Sequence, residues 1–409
     1  MHSVIYIIGK PYPHAESVEA LRKLGYSLGI FLDRNASLRH PEHYQNVIPL
    51  DFSGTVPLSE QLKAHTDITI DGLYCLYENY ILAKAEIARF FDLPALSIDA
   101  ARKSTDKNLM RAAFTAADPR ITPRYSVVTS EAEALSFAST ATYPLMLKPT
   151  NLVKSLLVTR CDNEAELVAN FRYAAQSIAG LYEKYHIYGR EPQLILEEFI
   201  TGQLCSVAAI VDQAGKPHFC DGIVGLTTAN DIGIQDSYLY ERLLPATYEK
   251  SLEQQIFSVA EAGIAALGLQ SSPAHVELIH NDNKVKIVEI GARTGGYRTD
   301  MYLDSYGINL LEQELRVAIG QLPDLTGTWN GYSSVTELFP ETEGVFGGIT
   351  GDYDRANFTY FNIKAKPGQP VGPAKQGYKA AAIIRAVSAD KSELDSARQT
   401  IAQLKVRVD

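Results

Sequence analysis

The sequence predicts a chain of mixed α/β and α+β class, and three observations support this prediction. First, residues 1–105 alternate short apolar runs with helical stretches, which is typical of a parallel sheet with helices on its faces. Second, residues 106–325 combine helices with short strands rich in β-branched residues. Third, residues 326–409 contain short strands and Gly/Pro turns, followed by a closing helix. We therefore predict an N-terminal doubly wound parallel-sheet domain, a central α+β domain and a small β-rich C-terminal domain at these ranges.

The N-terminal domain is expected to begin with a strand and not with a signal peptide, because its first apolar run is short and has no basic start. The predicted strands are Val4–Ile8, Leu28–Leu32, Val47–Leu50 and Leu73–Leu76, and the predicted helices are about Ala15–Leu24 and Asn79–Phe91. Gly9 closes the first strand, but no Gly-x-Gly-x-x-Gly pattern follows it. The sequence therefore does not support a dinucleotide site at this position.

The two later domains are predicted from the same kinds of signal. The predicted helices are Asp106–Ala117, 163–181, Ser251–Leu267, Leu310–Ile319 and Ser392–Leu404, with another that begins at the capping-box-like Ser130–Glu133. The predicted strands are Tyr125–Val128, Pro144–Lys148, Gln193–Ile200 and Ser206–Val211. Gly202 interrupts the chain between the last two strands.

Composition and charge exclude several classes of protein. The 409 residues are 46% hydrophobic and 21% charged, which is ordinary for a globular protein with a large core. The formal net charge of −10 argues against a general nucleic-acid or anionic-membrane surface. No apolar run approaches the roughly 20 residues needed to cross a bilayer. The four cysteines show no Cys-x-x-Cys spacing, so we expect reduced thiols and a cytoplasmic location.

Residues 275–296 are the most informative stretch of the chain. Two runs rich in β-branched residues flank Asn281-Asp282-Asn283, which predicts a β-hairpin. With the turn centred on its middle residue, Glu277 is expected opposite Ile287. Glu289 is then expected one diagonal step away on the same face, at about 7–8 Å.

Two acids on a mostly apolar strand pair need a cationic partner, because a buried unpaired carboxylate costs several kcal/mol. Mg²⁺ suits these oxygen ligands, and it is usually held together with substrate phosphates. Arg293 follows Glu289 by four residues, and Gly295 and Gly296 let the chain turn sharply behind it. The stretch therefore predicts a site for a metal and a phosphate group.

Three earlier features precede this hairpin in a meaningful order. Lys107 begins a helix, Lys148 ends a strand, and Glu197-Glu198-Phe199-Ile200 forms a hinge between a strand and a turn. The whole order resembles the ATP-grasp superfamily, in which ATP is clamped between two α+β subdomains. The resemblance implies that residues 106–325 are an ATP-grasp domain. It places a phosphate-loop subdomain at about 120–198 and a metal and substrate subdomain at about 199–325.

Within that superfamily the chain looks most like carboxylate–amine ligases of the L-amino acid ligase, or dipeptide synthetase, type. The resemblance rests on Ala274-His275-Val276-Glu277, on Glu289–Gly296, and on the tail Glu343–Gly351 with Pro367-Gly368. It implies an enzyme that activates a carboxylate, that of an amino acid, as an acyl phosphate and joins it to an amine. ATP and Mg²⁺ are the implied cofactors, with two metal ions and with Mn²⁺ as a substitute.

The resemblance also assigns roles residue by residue. Lys107 and Lys148 would contact the nucleotide phosphates, and the main chain of Glu198 and Ile200 would hold the adenine edge. The other implied nucleotide-binding residues are Ser155, Glu197, Phe199 and Gln203. Glu277 and Glu289 would bind Mg²⁺, and Arg293 with Glu289 would carry the catalysis. His275, Arg298, Gly295 and Gly296 would bind the substrate, under a loop predicted at Asp221–Leu244.

Three departures from the family pattern keep alternatives open. The phosphate loop after Lys148 has no glycine, Gln203 stands where related sequences often have an acid for the ribose, and Gly291 replaces a common asparagine ligand. One alternative is therefore a degenerate, non-catalytic nucleotide-binding protein. Another is a bicarbonate-activating carboxylase or carbamoyl-phosphate-type enzyme, although no biotin-acceptor domain or second grasp repeat is present. The expected partners are small molecules, an amino acid carboxylate and an amine, and family members of this type are often homodimers.

Overall fold

The computed structural model describes residues 3–11, 15–152, 156–184, 187, 191–236, 238–281 and 284–409. Within these ranges no helix is both long and apolar enough to cross a membrane.

The N-terminal part of the chain forms a four-stranded parallel sheet, as the alternating pattern predicts. Its strands are β1 (Val4–Gly9), β2 (Ser27–Asp33), β3 (Asn46–Leu50) and β4 (Gly72–Tyr74), in the order β3-β2-β1-β4. Its helices are α1 (Ala15–Lys23), α2 (Leu58–Leu62), α3 (Ile81–Phe91) and α4 (Ile98–Thr105). The central strand β1 is buried along its whole length, so its near-continuous apolar run has helices on both faces.

The second part forms a four-stranded antiparallel sheet, and the second and third of its three helices pack against this sheet. Its elements are α5 (Lys107–Ala117), β5 (Tyr125–Val128), α6 (Glu131–Ala138), β6 (Leu145–Pro149), β7 (Thr159–Cys161), α7 (Glu164–Lys184) and β8 (Leu194–Glu198). The strand order is β5-β8-β6-β7. Ser130 caps α6, since its hydroxyl accepts a hydrogen bond from the Glu133 N–H, and the Glu133 carboxylate in turn accepts one from the Thr129 N–H. The predicted helix start is therefore confirmed.

The third part is built on a nine-stranded sheet. Its strands in the central region are β9 (Gln203–Val211), β10 (Pro217–Phe219), β11 (Ile223–Thr228), β12 (Leu239–Ala246), β13 (Ser272–Asn281) and β14 (Lys284–Gly291). Its helices are α8 (Lys250–Leu267), α9 (Arg298–Tyr306) and α10 (Leu310–Ala318). The prediction of one continuous loop at Asp221–Leu244 is wrong, because β11 and β12 occupy half of it. These two strands are neighbours inside the large sheet.

The C-terminal residues form β15 (Tyr332–Leu338), β16 (Gly344–Thr350), β17 (Tyr360–Ile363), β18 (Pro370–Val371), β19 (Ala382–Ser388), α11 (Lys391–Ala402) and β20 (Lys405–Val408). β16 pairs with β18 and β20 in a small sheet. β15, β19 and β17 instead extend the large sheet, whose order is β14-β13-β9-β11-β12-β15-β19-β17, with β10 beside β9. Backbone pairing between β12 and β15 thus crosses the predicted domain boundary at residue 325.

One hydrophobic core joins the N-terminal sheet to the large sheet. It contains Tyr6 and Leu73 of the first sheet, Phe114 of α5, and Val276 and Ile290 of the β13–β14 hairpin. The hairpin therefore lies against the N-terminal part of the chain, and this packing brings residues far apart in sequence to one site.

Candidate active site

The β13–β14 hairpin places two glutamates directly opposite each other. Glu277 pairs with Glu289 across the two strands, whereas the next pair is Leu278 with Ile287. Val288 is thus an extra residue in β14, that is, a β-bulge. Directly opposite residues have Cβ atoms about 4.5–5.5 Å apart, closer than a diagonal pair. The prediction that Glu277 faces Ile287 is wrong, and the two acids are closer neighbours than the sequence pattern indicates.

The bulge also corrects the predicted face of Ile287, whereas Glu289 lies on the face of Glu277 as predicted. Val285 and Ile287 point into the hydrophobic core, as do Val276 and Leu278 of β13. Strict alternation would send Glu289 into that core with Ile287. The extra residue Val288 shifts the alternation by one, so Glu289 shares the face of Glu277.

His275 supports Glu277 from two residues earlier on the same strand. The His275 Nε2 and Glu277 Oε1 atoms are 3.1 Å apart. Burial lowers the pKa of His275, so the ring is neutral at pH 7 and donates its Nε2–H to the carboxylate. Burial by itself would raise the pKa of Glu277, but His275 and two nearby arginines outweigh it and lower the pKa to about 2. Glu277 is therefore held as a carboxylate.

Glu289 forms an ion pair with Lys107. The Lys107 Nζ lies 3.3 Å from Glu289 Oε1, although the two residues are 182 positions apart. Lys107 begins α5 because the Asp106 carboxylate caps the helix, accepting hydrogen bonds from the Asn108 and Leu109 N–H groups. The α5 N-terminus thereby directs a positive charge to the acids of the hairpin.

Arg293 reaches the same place but is held by an acid from the N-terminal part of the chain. Its Nε donates to Glu78 Oε2 at 2.6 Å, and its Nη1 donates to the Thr294 carbonyl at 3.2 Å. Glu78 lies in the turn between β4 and α3 and is mostly buried. Burial raises the pKa of Glu78, against the opposing effect of Arg293, and its Oε1 has no hydrogen-bond partner among the described residues.

Arg298 is a buried cation rather than a surface arginine. Only 2% of it is exposed, and its Nη2 donates to Ser206 Oγ at 2.9 Å while its Nη1 donates to the Gly296 carbonyl at 3.1 Å. No carboxylate among the described residues forms a salt bridge with it, and its Nε has no partner there. Burial and the charge of Arg242 lower its pKa to about 10, so it stays charged at pH 7.

Lys148 lies in a second group of charges, on β6. Its Nζ is 2.6 Å from Glu197 Oε2 on the neighbouring strand β8, and Glu197 Oε1 accepts a hydrogen bond from Arg111 Nε at 2.8 Å. All three side chains are buried. Arg111 and Lys148 outweigh the effect of burial and lower the pKa of Glu197 to about 2. Burial lowers the pKa of Lys148 to about 8.

The hinge residues after Glu197 line a small cleft. Glu198, Phe199 and Ile200 form one wall, and Lys286 lies in the other wall. The Glu198 N–H donates to the Arg124 carbonyl at 3.0 Å, so a nucleotide contact would use other main-chain groups of the hinge. The Phe199 ring lies under the guanidinium of Arg160, which is 4.9 Å from the ring centroid.

Gln203, a predicted nucleotide-binding residue, is not among the residues that line this cleft. Gln203 is an exposed residue at the start of β9, paired with His280 of β13. Ser155 lies outside the described residues. Gly202, between the hinge and β9, has φ of +144°, and a Cβ there would collide with the carbonyl of His280. The hinge geometry therefore requires glycine at this position.

A buried ion group lies behind Arg293. Thr294 Oγ1 donates to Glu314 Oε2 at 3.1 Å, and Lys84 Nζ lies 4.0 Å from Glu314 Oε1. Burial raises the pKa of Glu314 to about 7, with Lys84 opposing the rise. This group ties the segment that carries Arg293 to α3 and α10.

The opposed acids fit a hard divalent cation. Glu277 is ionised by its surroundings, Glu289 shares its face, and Lys107 compensates the charge of Glu289. Two carboxylates beside a phosphate site are the ligand set that Mg²⁺ prefers. A search of the described residues for three His, Cys, Asp or Glu side chains close enough to share one metal ion finds His40, Glu42 and His43. These residues lie near the surface and far along the chain from the hairpin.

The sequence pattern did not reveal Glu78 and Arg111. Glu78 is 215 residues from its partner Arg293, and Arg111 is 86 residues from Glu197. Neither residue lies in a recognisable motif. Glu78 lies in a short helical turn, and Arg111 lies on a helix with the ordinary spacing of apolar residues. A signal existed only for Arg111, because an arginine at position 111 falls among the buried residues Met110 and Phe114 of an amphipathic helix.

Comparisons with known proteins agree with this geometry. Residues 141–301 match the ATP-grasp domain family. The alanine–anticapsin ligase of Bacillus subtilis is 23% identical over 315 residues, which are 72% of this chain and 65% of that protein. The chain thus spans slightly less than two thirds of the length of this relative. A D-alanine–D-alanine ligase of Pseudomonas putida (strain GB-1) is 24% identical over 155 residues, 36% of this chain and 42% of that protein.

Solved structures extend the likeness to the whole chain. The L-amino acid ligase from Bacillus licheniformis superposes with a TM-score of 0.81 at 18% identity, covering 100% of this chain and 99% of the other. The phosphoribosylglycinamide synthetase from Anaerococcus prevotii gives a TM-score of 0.71 at 18% identity, with 100% of both chains covered. The predicted ATP-grasp fold is confirmed. Residues 141–301 are therefore an ATP-grasp domain, in a chain with homology to alanine–anticapsin ligase and the fold of an L-amino acid ligase.

Proposed function

We propose that this protein is an ATP-dependent carboxylate–amine ligase that activates the carboxylate of an amino acid as an acyl phosphate and joins it to an amine. The observation that carries the proposal is the opposed pair Glu277 and Glu289, with Lys107 and Arg293 beside it, in an ATP-grasp fold. The names of the relatives, alanine–anticapsin ligase and D-alanine–D-alanine ligase, support the same class of reaction.

ATP is proposed to lie between the antiparallel sheet of β5–β8 and the β13–β14 hairpin. Its adenine would occupy the hinge cleft of Glu198–Ile200, and its phosphates would extend toward Lys148 and Lys107. Both lysines are compact cations on flexible stems, which suits contact with phosphate oxygens. Glu197 would act by holding Lys148 in place, since its carboxylate lies 2.6 Å from the lysine Nζ.

Glu277 and Glu289 are proposed to hold Mg²⁺, as two ions, with Mn²⁺ able to replace them. Bound there, the metal would neutralise phosphate charge that otherwise repels an incoming carboxylate. The protein's own part is to present both acids on one face. His275 helps to keep Glu277 ionised through the Nε2–H contact, and Lys107 forms an ion pair with Glu289.

The chemistry needs no protein nucleophile. A substrate carboxylate oxygen attacks the γ-phosphorus of ATP, and the bond to the bridging oxygen breaks to release ADP. The amine nitrogen then attacks the acyl carbon, loses a proton, and expels inorganic phosphate. Arg293 would stabilise negative charge in both steps, while the remaining residues would position the reactants and exclude water.

Arg298 and His275 are proposed to form the substrate side of the site, with Gly295 and Gly296 beneath it. A buried arginine without a carboxylate partner is costly, because desolvation of the charge is not offset. An anionic group on a substrate would offset it with paired hydrogen bonds. Gly295 lies against the His275 ring, where a Cβ would collide with the imidazole.

The remaining expectations belong to the same proposal. The chain would act in the cytoplasm on small molecules, since all four cysteines are free and buried and ATP is the proposed substrate. A homodimer and the three-domain division at residues 105 and 325 are carried over from the sequence pattern and the family likeness.

The test is release of inorganic phosphate from ATP and Mg²⁺, screened over single amino acids and pairs, with products followed by mass. We expect release that depends on a particular pair, together with a product lighter by one water than the sum of its parts. Glu289→Gln should abolish release, whereas Glu261→Gln, on the exposed face of α8, should not. Binding of ADP without any amino-acid-dependent release would contradict the ligase proposal and favour a non-catalytic nucleotide-binding protein.

A further inference from the structure

Arg111 is the residue through which the two charged groups of the site are connected. It lies on α5, one turn after Lys107, and only 1% of it is exposed. Its guanidinium makes two kinds of contact in two different sheets. The Nε and Nη2 atoms face Glu197 of β8, at 2.8 and 3.4 Å, and Nη2 also donates to the carbonyl of Val288 in β14 at 2.7 Å.

The contact with Val288 falls on the bulge itself. A bulged residue lacks a regular partner in the strand ladder, so its polar backbone groups need another partner. Arg111 supplies a charged donor to that carbonyl, and the next residue along the chain is Glu289. Because the bulge decides which face Glu289 occupies, a group that fixes the bulge also fixes the direction of the Glu289 side chain.

The contact with Glu197 acts on the other group. Glu197 is shared between Arg111 and Lys148, and all three are buried in the same place. With Arg111 present, the negative charge of Glu197 is divided between two cations. Without it, Lys148 would be the sole partner of a buried carboxylate and would be held more tightly, away from a phosphate.

We infer that Arg111 is a positioning residue that sets the Lys148 ammonium and the Glu289 carboxylate at the same time, one through Glu197 and the other through the Val288 carbonyl. It touches no reacting atom. Its effect is to link nucleotide binding on one sheet to metal binding on the other through a single rigid guanidinium. The two short contacts come from different nitrogens, Nε to Glu197 and Nη2 to the Val288 carbonyl. A lysine has a single nitrogen and cannot make both at these distances, whereas the planar fork of arginine can.

The inference rests on the proposed nucleotide and metal sites but not on ligase chemistry, so binding measurements can test it. The affinity for ADP is measured by calorimetry without divalent cation and then across a series of Mg²⁺ concentrations. Thermal unfolding is recorded for each variant. The variants are Arg111→Met, Arg111→Lys and, as a matched control, Arg398→Met. Arg398 forms a similar two-pronged pair with Glu241, at 2.6 Å for each contact, in the C-terminal part of the chain.

For Arg111→Met we expect weaker ADP binding without metal and a higher Mg²⁺ requirement. Outer-shell partners of metal ligands typically change metal affinity by about 10- to 100-fold, and we expect the Mg²⁺ concentration for half-maximal tightening of ADP binding to rise within that range. Arg398→Met should lower the unfolding temperature while leaving both binding quantities unchanged.

Arg111→Lys distinguishes the contact with Glu197 from the contact with the Val288 carbonyl. It also keeps the inference testable if Arg111→Met does not fold. It keeps a cation beside Glu197, so ADP affinity without metal should stay within about threefold of the parent protein. The Mg²⁺ requirement should still rise about tenfold, because the Val288 carbonyl loses its donor. If both Arg111 variants change only the unfolding temperature, as Arg398→Met does, the inference is overturned. Failure of the ligase proposal would instead appear as absent phosphate release with these binding effects intact.

Discussion

Gly295 lies against the ring of His275 so closely that a side chain at position 295 would come within 2.5 Å of the His275 Nδ1 atom. This contact comes from the turn behind Arg293 folding back over β13. The backbone of the turn therefore packs against the His275 imidazole, which donates a hydrogen bond to Glu277.

Gly295→Ala should displace His275 and weaken its hydrogen bond to Glu277. We expect a loss of ATP-dependent phosphate release of about tenfold or more, with a loss of stability of about 1–3 kcal/mol from overpacking. Steady-state kinetics and denaturant unfolding measure the two effects. Gly180→Ala, in α7 where an added Cβ meets nothing within 4 Å, is the control and should leave phosphate release unchanged. Equal behaviour of the two variants would contradict the proposed role of the turn.

Lys148→Met should weaken ADP binding by about tenfold or more, because the variant loses a buried ammonium that we propose contacts the phosphates. The pH dependence gives a sharper test. Burial lowers the pKa of Lys148 to about 8, so the ammonium loses its proton as the pH rises from about 7 to 9, and ADP affinity should fall over that range. The variant should lack this fall.

Lys103→Met serves as the control for Lys148→Met. Lys103 pairs with Asp99 on the surface of α4, and such exposed pairs contribute little to stability. Its ADP affinity and pH dependence should match those of the parent protein. An unchanged pH profile in Lys148→Met would show that another group causes the fall.

Gly202→Ala should disturb the hinge without touching the acids. The positive φ of Gly202 and its closeness to the carbonyl of His280 leave no room for a Cβ, so the segment from Glu198 to Gly202 must move. We expect weaker ADP binding with an unchanged Mg²⁺ requirement. Calorimetry at several Mg²⁺ concentrations checks this, and Gly268→Ala, also at positive φ but with open space around it, controls for backbone strain alone.

Glu314 should make the protein less stable as the pH rises. Its pKa is about 7 in the folded chain, against an ordinary value of 4.5, so between these values the folded state keeps a proton that the unfolded state has released. The free energy of unfolding is then highest below about pH 4.5 and decreases up to about pH 7, by as much as about 3 kcal/mol. Glu314→Gln should remove that part of the decrease.

The measurement is urea unfolding of the parent and the Glu314→Gln variant at matched pH values between 4 and 8. The difference between the two curves isolates the contribution of Glu314, since other titrating groups are common to both. A difference that does not change with pH would contradict the raised pKa. The neighbours Lys84, Thr294 and Arg293 remain in place in both proteins.

Much of the fold could be predicted from the sequence because its strands and helices carry clear periodic patterns. The position of the β13–β14 hairpin was predicted correctly. The register was not, because a β-bulge at Val288 leaves no mark in composition, and one extra residue moves Glu289 from the core face to the site face. Short-range pattern cannot reveal a shift that is stabilised by Arg111 from a distant helix.

Partners contributed by other parts of the chain were also beyond the sequence pattern. Glu78 meets Arg293 only because the N-terminal sheet packs against the hairpin through a shared core. The sequence pattern also did not reveal that the large sheet continues from β12 to β15. The composition changes near residue 326 and so indicated a domain boundary there, but backbone pairing continues across this position.

That continuous pairing has a consequence for recombining this protein with its relatives. A chain cut near residue 325 would lose β15, β19 and β17 and leave β12 with a row of unpaired N–H and C=O groups. Exposed edges of this kind recruit strands from other molecules and promote aggregation. A C-terminal segment taken from a relative must therefore re-form the β12–β15 pairing, and a chimera that inherits β9 through β19 from one parent keeps that pairing intact.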